Sequence, residues 1–355
     1  MDKYAIDSHK LYYHVPRVNA WLNGENIYPL YMEISPTGMC NHRCTFCALD
    51  YMKYRNKSLD SNILKSRIHE LAELGLKSVM FAGEGEPLLY KDFTDILLYA
   101  KKCGIDTAIT TNGVLLTREI SEQVLEHTEW IKISIAGATP ETYSSIHRTK
   151  ASDFNIVIRN MTDAVKEREK LGAKCTLGMQ LLLLPENRND VMELAKIASS
   201  SGADYLVIKP YSQHLSSKTD KYGNIKYSDY MELEEALSQF NRDDFNVIFR
   251  KDTMKAWDSK TRDYKNCLAL PFWSYLDSEG NVWGCSTYLG DDRFLYGNIN
   301  KTSFQDIWEG EKRRKSMEWV MSDLDTSNCR INCRMDKINS YLWSLRHLPK
   351  HVNFI

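Results

Sequence analysis

The sequence has no excess of charge of either sign, because 46 lysine and arginine residues are matched by 47 aspartate and glutamate residues, which leaves a net charge of −1. A near-neutral chain lacks the basic surface that binding to a phosphate backbone requires. The basic run Lys312–Lys315 lies among glutamates and is interpreted as a solvated helix face. We therefore expect no nucleic-acid partner.

Long apolar runs are also missing from the chain. The longest, Leu181–Leu184, stops at Pro185 and is much shorter than a membrane span. The first residues contain no basic region followed by an apolar stretch, so they do not resemble a signal peptide. We expect a cytoplasmic protein without membrane contact, whose thiols stay reduced.

Nine cysteines in such a chain call for an explanation other than disulfides. Two of them, Cys103 and Cys175, stand alone and are interpreted as packing residues. The remaining seven form an early group of three and a late group of four, namely Cys40, Cys44 and Cys47, then Cys267, Cys285, Cys329 and Cys333. Clusters of this kind are typical of metal sites.

Residues 31–211 alternate between apolar, β-branched segments and amphipathic ones. The pattern predicts helices around 64–72, 93–100 and 191–198. Six strands are predicted, at Tyr31–Ser35, Ser78–Ala82, Thr107–Thr110, Trp130–Ile135, Thr176–Leu184 and Tyr205–Lys209. Repeated β-α units form parallel sheets, and six units are too few for a closed barrel. The predicted fold class is therefore α/β, with a partial (β/α)6 TIM-like barrel.

Five segments are predicted along the chain. They are an N-terminal extension (1–30), the barrel (31–215), a connector or lid with a helix and a strand (216–263), a small cysteine-bearing domain (264–340) and a C-terminal tail (341–355). Residues 215–230 are interpreted as a lid, with a disordered connector as the alternative. The small domain is predicted to contain a hairpin turning at Gly280 and a helix over Ser303–Met321.

The early cysteine group directly follows the first strand, where a barrel carries its active-site loops. A cubane cluster bound by three cysteines keeps one iron open, whereas zinc needs a fourth ligand. His42 is the zinc alternative, from an awkward direction between two cysteines. The spacing C-x3-C-x2-C, with Phe46 before the last cysteine, resembles the radical S-adenosylmethionine (SAM) superfamily.

That resemblance implies a cluster whose open iron binds SAM and whose reduction yields a 5′-deoxyadenosyl radical. The turn Gly83–Leu88 is similar to the family's Gly-Gly-Glu-Pro turn, although an ordinary Gly-Pro turn is the alternative. Ala136 departs from the family pattern near the ribose, and Arg148 has a surface helix arginine as its alternative. The implied SAM contacts are Phe46, Gly85, Glu86, Pro87, Thr111, Asn112, Ser134, Arg148 and Lys209.

The late cysteine group resembles the auxiliary-cluster module of the SPASM/twitch subgroup. Its four cysteines suffice for one fully ligated cluster, the shorter twitch arrangement, with a structural zinc site as the alternative. The resemblance therefore implies two 4Fe–4S clusters and SAM as cofactors.

The chain is most similar in this respect to twitch-type dehydrogenases that act on amino-cyclitols. The resemblance implies oxidation or epimerisation of a sugar, cyclitol or nucleotide-sugar, with the auxiliary cluster relaying an electron and a flavodoxin or ferredoxin as donor. Candidates for the catalytic base lie near strand ends: Glu84, Lys209, Tyr211, Gln213 and His214.

Two other functions stay open. One is a peptide-modifying SPASM maturase that uses a separate leader-binding protein, since about thirty residues before the first strand are too few for a recognition domain. The other is a non-enzymatic iron–sulfur or zinc protein.

Overall fold

A computed structural model describes residues 3–354. Within that range the strands form one ten-stranded sheet in the order β10-β9-β8-β1-β2-β3-β4-β5-β6-β7. The strands are β1 Tyr31–Ile34, β2 Ser78–Phe81, β3 Asp106–Thr111, β4 Trp130–Ser134, β5 Thr176–Leu183, β6 Tyr205–Pro210, β7 Asn246–Phe249, β8 Trp273–Leu276, β9 Asn281–Trp283 and β10 Leu295–Asn298.

Strands β1 to β7 lie side by side in chain order, and every neighbouring pair is parallel. This arrangement confirms the predicted parallel α/β sheet. The strand predicted within the 216–263 connector is β7, which joins the same sheet as its seventh parallel member. The barrel sheet is therefore one strand wider than the sequence pattern indicates.

The connecting segments supply helices that cover the outer face of the sheet. Helix α3 shows the predicted pattern, because Phe93, Ile96, Leu97 and Ala100 are all buried and Gly104 follows its end at a φ of +80°. The α-helices described are α1 Val15–Leu22, α2 Ser61–Glu73, α3 Phe93–Lys102, α4 Arg118–Val124, α5 Pro140–His147, α6 Ser152–Leu171, α7 Val191–Ser200, α8 Glu232–Ser238, α9 Lys251–Ser259, α10 Phe304–Glu309, α11 Glu311–Ser322 and α12 Asp336–Arg346.

The hairpin of the C-terminal region is continuous with the barrel sheet. Strand β8 pairs in parallel with β1, so that Tyr31 lies opposite Trp273 and Ile34 opposite Leu276. Strand β9 then returns antiparallel to β8 and pairs with β10. Consequently β1 is an interior strand shared by the barrel and the cysteine-bearing domain.

The helix predicted over Ser303–Met321 is two helices, α10 and α11. Gly310 separates them in an extended conformation, with φ −68° and ψ 160°. An extended residue cannot continue the i to i−4 hydrogen-bond ladder, so the prediction of one helix is wrong. Because apolar residues recur on both sides of Gly310, the sequence pattern did not indicate that the helix ends there.

Helices α1 and α12 and the 215–230 segment bury side chains against the rest of the described chain. Trp21 of α1 contacts Phe272 with ring centroids 5.8 Å apart. Tyr222 and Tyr227 are fully buried, which excludes a disordered connector for that segment. Helix α12 continues through residue 340, the predicted boundary between the small domain and the C-terminal tail. Farther along the tail, Phe354 is 84% exposed. No helix in residues 3–354 combines the length and apolarity of a membrane span.

Asp277 fixes the β8–β9 turn. Its Oδ1 accepts hydrogen bonds from the backbone N–H groups of Glu279 and Asn281, and its Oδ2 accepts one from Trp283 Nε1 at 2.7 Å. Asp277→Ala leaves the buried indole N–H unpaired and should lower the free energy of unfolding by about 3 kcal/mol. Thermal unfolding followed by circular dichroism measures this loss. The exposed Asp243→Ala serves as control, and equal melting temperatures for both variants would contradict the role of Asp277.

Candidate functional site

The loop bearing Cys40, Cys44 and Cys47 is attached to the end of helix α5. The backbone N–H of Arg43 donates to His147 O at 3.1 Å, and that of Thr45 donates to Ile146 O at 2.8 Å. The last carbonyls of a helix have no partner within the helix, so these two accept hydrogen bonds from the loop instead. Helix α5 thereby positions the backbone around Cys44.

His147 also contacts Cys44 through its side chain. The N–H of Ala136 donates to His147 Nε2 at 2.9 Å, so the ring proton is on Nδ1, which lies 3.3 Å from Cys44 Sγ. Burial is the main cause that lowers the pKa of His147 and keeps the ring neutral. Sequence reasoning missed this residue, because nothing in its spacing indicates a contact with Cys44.

A zinc site at this position is not favoured. His42, Cys44 and His147 place ligand atoms within 4.8 Å of one another in the described part of the chain. His147 Nδ1, however, carries the proton and donates to the sulfur, which leaves that nitrogen no lone pair for a metal. His42 is buried, and its Nε2 lies 3.6 Å from Asp153.

The three thiols suit a group that carries positive charge. Burial is the main cause that raises the pKa of Cys40 to about 11, and burial followed by repulsion from Cys47 and Cys40 raises the pKa of Cys44 well above its ordinary value. Burial also raises the pKa of Cys47. Thiolates are the form that binds iron, so these three groups need a metal centre to deprotonate. The donor set therefore fits an iron–sulfur cluster.

The turn after β2 is pressed against the cysteine loop. A Cβ on Gly85 would lie 2.3 Å from the carbonyl oxygens of Thr37 and Met39, so only glycine fits here. The Glu86 N–H donates to Met39 O at 2.7 Å. The Glu86 carboxylate accepts hydrogen bonds from Thr111 Oγ1 at 2.6 Å and from the Asn112 N–H at 2.7 Å. The loops after β1, β2 and β3 are thus tied together.

The structure brings only some of the predicted SAM contacts together. Phe46 lies edge-on to His147 with ring centroids 5.5 Å apart, and Asn112 Nδ2 donates to Asn41 Oδ1 at 2.6 Å. Pro87 begins the short 3-10 turn Pro87–Leu89 beside Glu86. Ser134 is half-buried at the end of β4, whereas Arg148 is exposed just after α5 at a φ of +48°. The SAM contacts of these residues stay predictions.

The sulfurs of the four late cysteines all have hydrogen-bond partners. The Thr287 N–H donates to Cys285, the Met335 N–H to Cys333 and Asn339 Nδ2 to Cys267, and Tyr288 Oη lies 3.2 Å from Cys329 Sγ. Burial, with repulsion from Cys333, raises the pKa of Cys267 to about 12. This set likewise fits an iron–sulfur cluster, whose potential depends on hydrogen bonds to its sulfurs.

Tyr51, which follows the first cysteine group in sequence, contacts His214, which lies near the second group. Their rings lie 4.9 Å apart, and Tyr51 Oη is 3.4 Å from His214 Nε2. His214 Nε2 is also 3.4 Å from the carbonyl of Ser286, next to Cys285. Burial lowers the pKa of His214 to about 4, so the ring is neutral near pH 7.

The inner face of the barrel is mixed, because buried apolar residues such as Met80, Ala108 and Val207 share it with partly exposed polar ones. Along β4 the outward residues Ile131 and Ile133 are buried, whereas the inward residues Lys132 and Ser134 keep partial exposure. The same inward face continues on β3, β5 and β6 through parallel pairing. We call six partly exposed residues of this face the lumen patch: Thr110, Lys132, Ser134, Gln180, Leu182 and Lys209.

The candidate bases have separate surroundings. Glu84 accepts a hydrogen bond from the Ser278 N–H at 2.7 Å, and Gln213 Nε2 donates to Thr219 O at 2.8 Å. Tyr211 packs against Tyr222 with ring centroids 5.3 Å apart. Among the five candidates, Lys209 lies on the lumen patch. Sequence reasoning missed Lys132, although a lysine between two isoleucines in a strand indicates an inward-facing charge.

Comparisons with known proteins agree with this geometry. Residues 34–198 match the model of the radical SAM superfamily, and residues 267–334 match the SPASM iron–sulfur cluster-binding domain. The chain belongs to the radical SAM superfamily. It is a radical SAM enzyme with a C-terminal SPASM domain, a class that carries a 4Fe–4S cluster, SAM and additional iron–sulfur sites. A non-enzymatic protein is therefore set aside.

Relatives with different activities share most of this chain. It is 30% identical over 347 residues to an Fe-coproporphyrin III synthase of Methanosarcina barkeri, covering 87% of this chain and 84% of that protein. It is 24% identical to a tungsten-containing aldehyde ferredoxin oxidoreductase cofactor-modifying protein of Pyrococcus furiosus, covering 80% and 81%. Streptococcus suis SuiB has the same fold, with a TM-score of 0.65 and 18% identity over 84% of this chain and 70% of that one.

The contact between His147 and Cys44 should tune the first cluster. We expect His147→Phe to retain iron but to lower the cluster's reduction potential by on the order of tens of millivolts, because it removes a hydrogen bond that stabilises the reduced form. His147→Asn keeps an N–H near the Nδ1 position and should shift the potential less. Redox titration monitored by electron paramagnetic resonance measures both, with the exposed His69→Phe as control. An unchanged potential in His147→Phe would count against the contact.

Cluster number can be tested by removing one late cysteine. Two clusters require about eight iron atoms per chain after anaerobic reconstitution, and Cys285→Ala should lose up to about four of them while the first cluster persists. Iron and sulfide analysis gives the counts, and Cys175→Ala is the matched control. Bound zinc in place of iron at the late cysteines would refute the second cluster.

Proposed function

We propose that this enzyme removes a hydrogen atom from a small polar substrate, a sugar, cyclitol or nucleotide-sugar, and oxidises or epimerises it. The observation that carries the proposal is the lumen patch, a polar and partly exposed surface at the centre of the barrel. Hydroxyl-bearing substrates match amide, hydroxyl and ammonium groups such as those of Gln180, Ser134 and Lys132.

Two sets of cysteines would hold the cofactors. When bound, the cluster on Cys40, Cys44 and Cys47 and its SAM supply a radical that abstracts hydrogen, and the second cluster supplies an electron acceptor. The Nδ1–H of His147 donates a hydrogen bond to Cys44 Sγ, and the Glu86 carboxylate holds the loops after β2 and β3 together by accepting from the Asn112 N–H. A flavodoxin or ferredoxin is the proposed electron donor.

The segment following β6 supports a small substrate. Tyr222 Oη lies 2.7 Å from Thr45 Oγ1, within the cysteine loop, and Asp50 Oδ1 accepts a hydrogen bond from the Lys218 N–H at 3.0 Å. These contacts draw the segment across the loop that bears the first cysteines. Such a cover excludes water from a reactive site and leaves less room for an extended peptide.

A peptide substrate is the second candidate. Its support is the common fold with SuiB, of which one structure has a precursor peptide bound, with a TM-score of 0.64 and 18% identity. Mycofactocin maturase of Mycobacterium tuberculosis is also 25% identical over 288 residues. In that case a separate leader-binding protein would present the peptide.

The assay is formation of 5′-deoxyadenosine under anaerobic, reducing conditions with SAM. We expect sugars, cyclitols or nucleotide-sugars from a panel to raise its rate above the substrate-free rate, with an oxidised or epimerised product detected by mass spectrometry. Cys44→Ala should abolish the reaction, because it removes a cluster ligand, whereas Cys103→Ala should not. Stimulation by a peptide panel alone would replace this proposal with the maturase.

A further inference from the structure

More positive than negative side chains surround the two lysines of the lumen patch. Arg250 and Arg334 act on the pKa of Lys132, and Lys132, Arg250, Arg330 and Arg334 act on that of Lys209. Two of these arginines are engaged by carboxylates: Arg334 by Glu33, and Arg250 by Asp7 at 3.0 Å. Within residues 3–354, no ion pair involves Lys132 or Lys209.

Burial and neighbouring cations disfavour the charged form of both lysines. Burial, then the charges of Arg334 and Arg250, lowers the pKa of Lys132 to about 8. Burial, then the charge of Lys132, lowers the pKa of Lys209 well below its ordinary value. Cations held together away from bulk water are unfavourable unless an anion joins them. Since both side chains keep partial exposure, an anion in the lumen can reach them.

The cysteine sites account for the arginines but not for the lysines. Arg330 and Arg334 adjoin Cys329 and Cys333 in sequence, and Cys333 acts on the pKa of both arginines. The charges that act most on the lysines are the other cations, with Glu33 for Lys132. The four late thiolates therefore do not supply an anionic partner for the two lysines.

The surroundings of the lysines suit an oxyanion attached to a polar body. Gln180 occupies β5, the strand between the lysine-bearing strands, and also faces the lumen. Trp130 forms one wall, with Lys132 Nζ 5.4 Å from its ring centroid. Trp273 packs against Tyr31 on the shared strand pair, and its Nε1 is buried without a hydrogen-bond partner in residues 3–354.

We infer that Lys132 and Lys209 bind an anionic group of the substrate, a phosphate or a carboxylate, so that the substrate is a negatively charged polar small molecule. The inference rests on the proposed function, because it names the substrate class of the same lumen. Ammonium groups bind such oxyanions through charge-assisted hydrogen bonds. The anionic end would lie against the lysines, and the remainder would extend along the lumen patch.

Calorimetry on the reconstituted protein with SAM tests the inference without turnover. Three matched hexoses serve as probes: glucose 6-phosphate, glucuronate and neutral glucose. We expect at least one anionic hexose to bind more tightly than glucose, and Lys132→Met to weaken that binding about tenfold or more. Lys132→Arg should retain much of the affinity, and Lys174→Met, on an exposed loop, should match the wild type. The preferred probe distinguishes phosphate from carboxylate.

Lys132→Met should fold, because it keeps the side-chain length and removes a repelled cation. Its melting temperature should equal or exceed that of the wild type, and its SAM affinity should be unchanged. Equal binding of all three hexoses, or equal weakening of SAM binding by Lys132→Met, would overturn the inference.

The outcome separates the inference from the proposed function. If an anionic hexose binds through Lys132 but no sugar, cyclitol or nucleotide-sugar stimulates 5′-deoxyadenosine, the anion site stands and the function fails. If a neutral sugar alone is processed, the function stands and the anion site fails.

Discussion

The hydrogen bonds between the end of helix α5 and the cysteine loop are the constraint on which the site depends. The carbonyls of Ile146 and His147 need donors that the helix cannot provide, and the N–H groups of Thr45 and Arg43 provide them. The same helix end brings the His147 ring to Cys44. The end of helix α5 thus positions both the backbone of the cysteine loop and the His147 side chain. The hydrogen bonds of Glu86 then tie the loops after β1, β2 and β3 together.

The barrel carries charge on its inner face as well as apolar packing on its outer face. On β4 the outward Ile131 and Ile133 are buried, whereas the inward Lys132 and Ser134 are polar and partly exposed. Two features are unfavourable in the protein without ligands. Burial disfavours the negative charge of the thiolates, and the unpaired lysines bring positive charges close together. Cofactors that contain iron would stabilise the thiolates, and an anionic substrate would pair with the lysines. The perturbed groups of the protein therefore indicate the charges of its ligands.

Much of the fold was predictable from local pattern. Apolar strands and the spacing of Phe93, Ile96, Leu97 and Ala100 gave the parallel sheet and its helices, and the cysteine spacing indicated the metal sites. The pairing of β8 with β1 was not predictable, because it joins distant segments that lack a distinguishing pattern. The roles of His147 and Lys132 depend on tertiary contacts and inward orientation, to which spacing alone gives no direct guide.

The shared strand β1 has a consequence for biosynthesis. Its partner β8 follows about 240 residues later, a separation that makes the pairing slow to form. While the nascent chain leaves the ribosome, the outer edge of β1 waits without a neighbour, and an open edge is prone to join strands of other molecules. Chaperone demand during translation should therefore be greatest before residues 273–276 emerge.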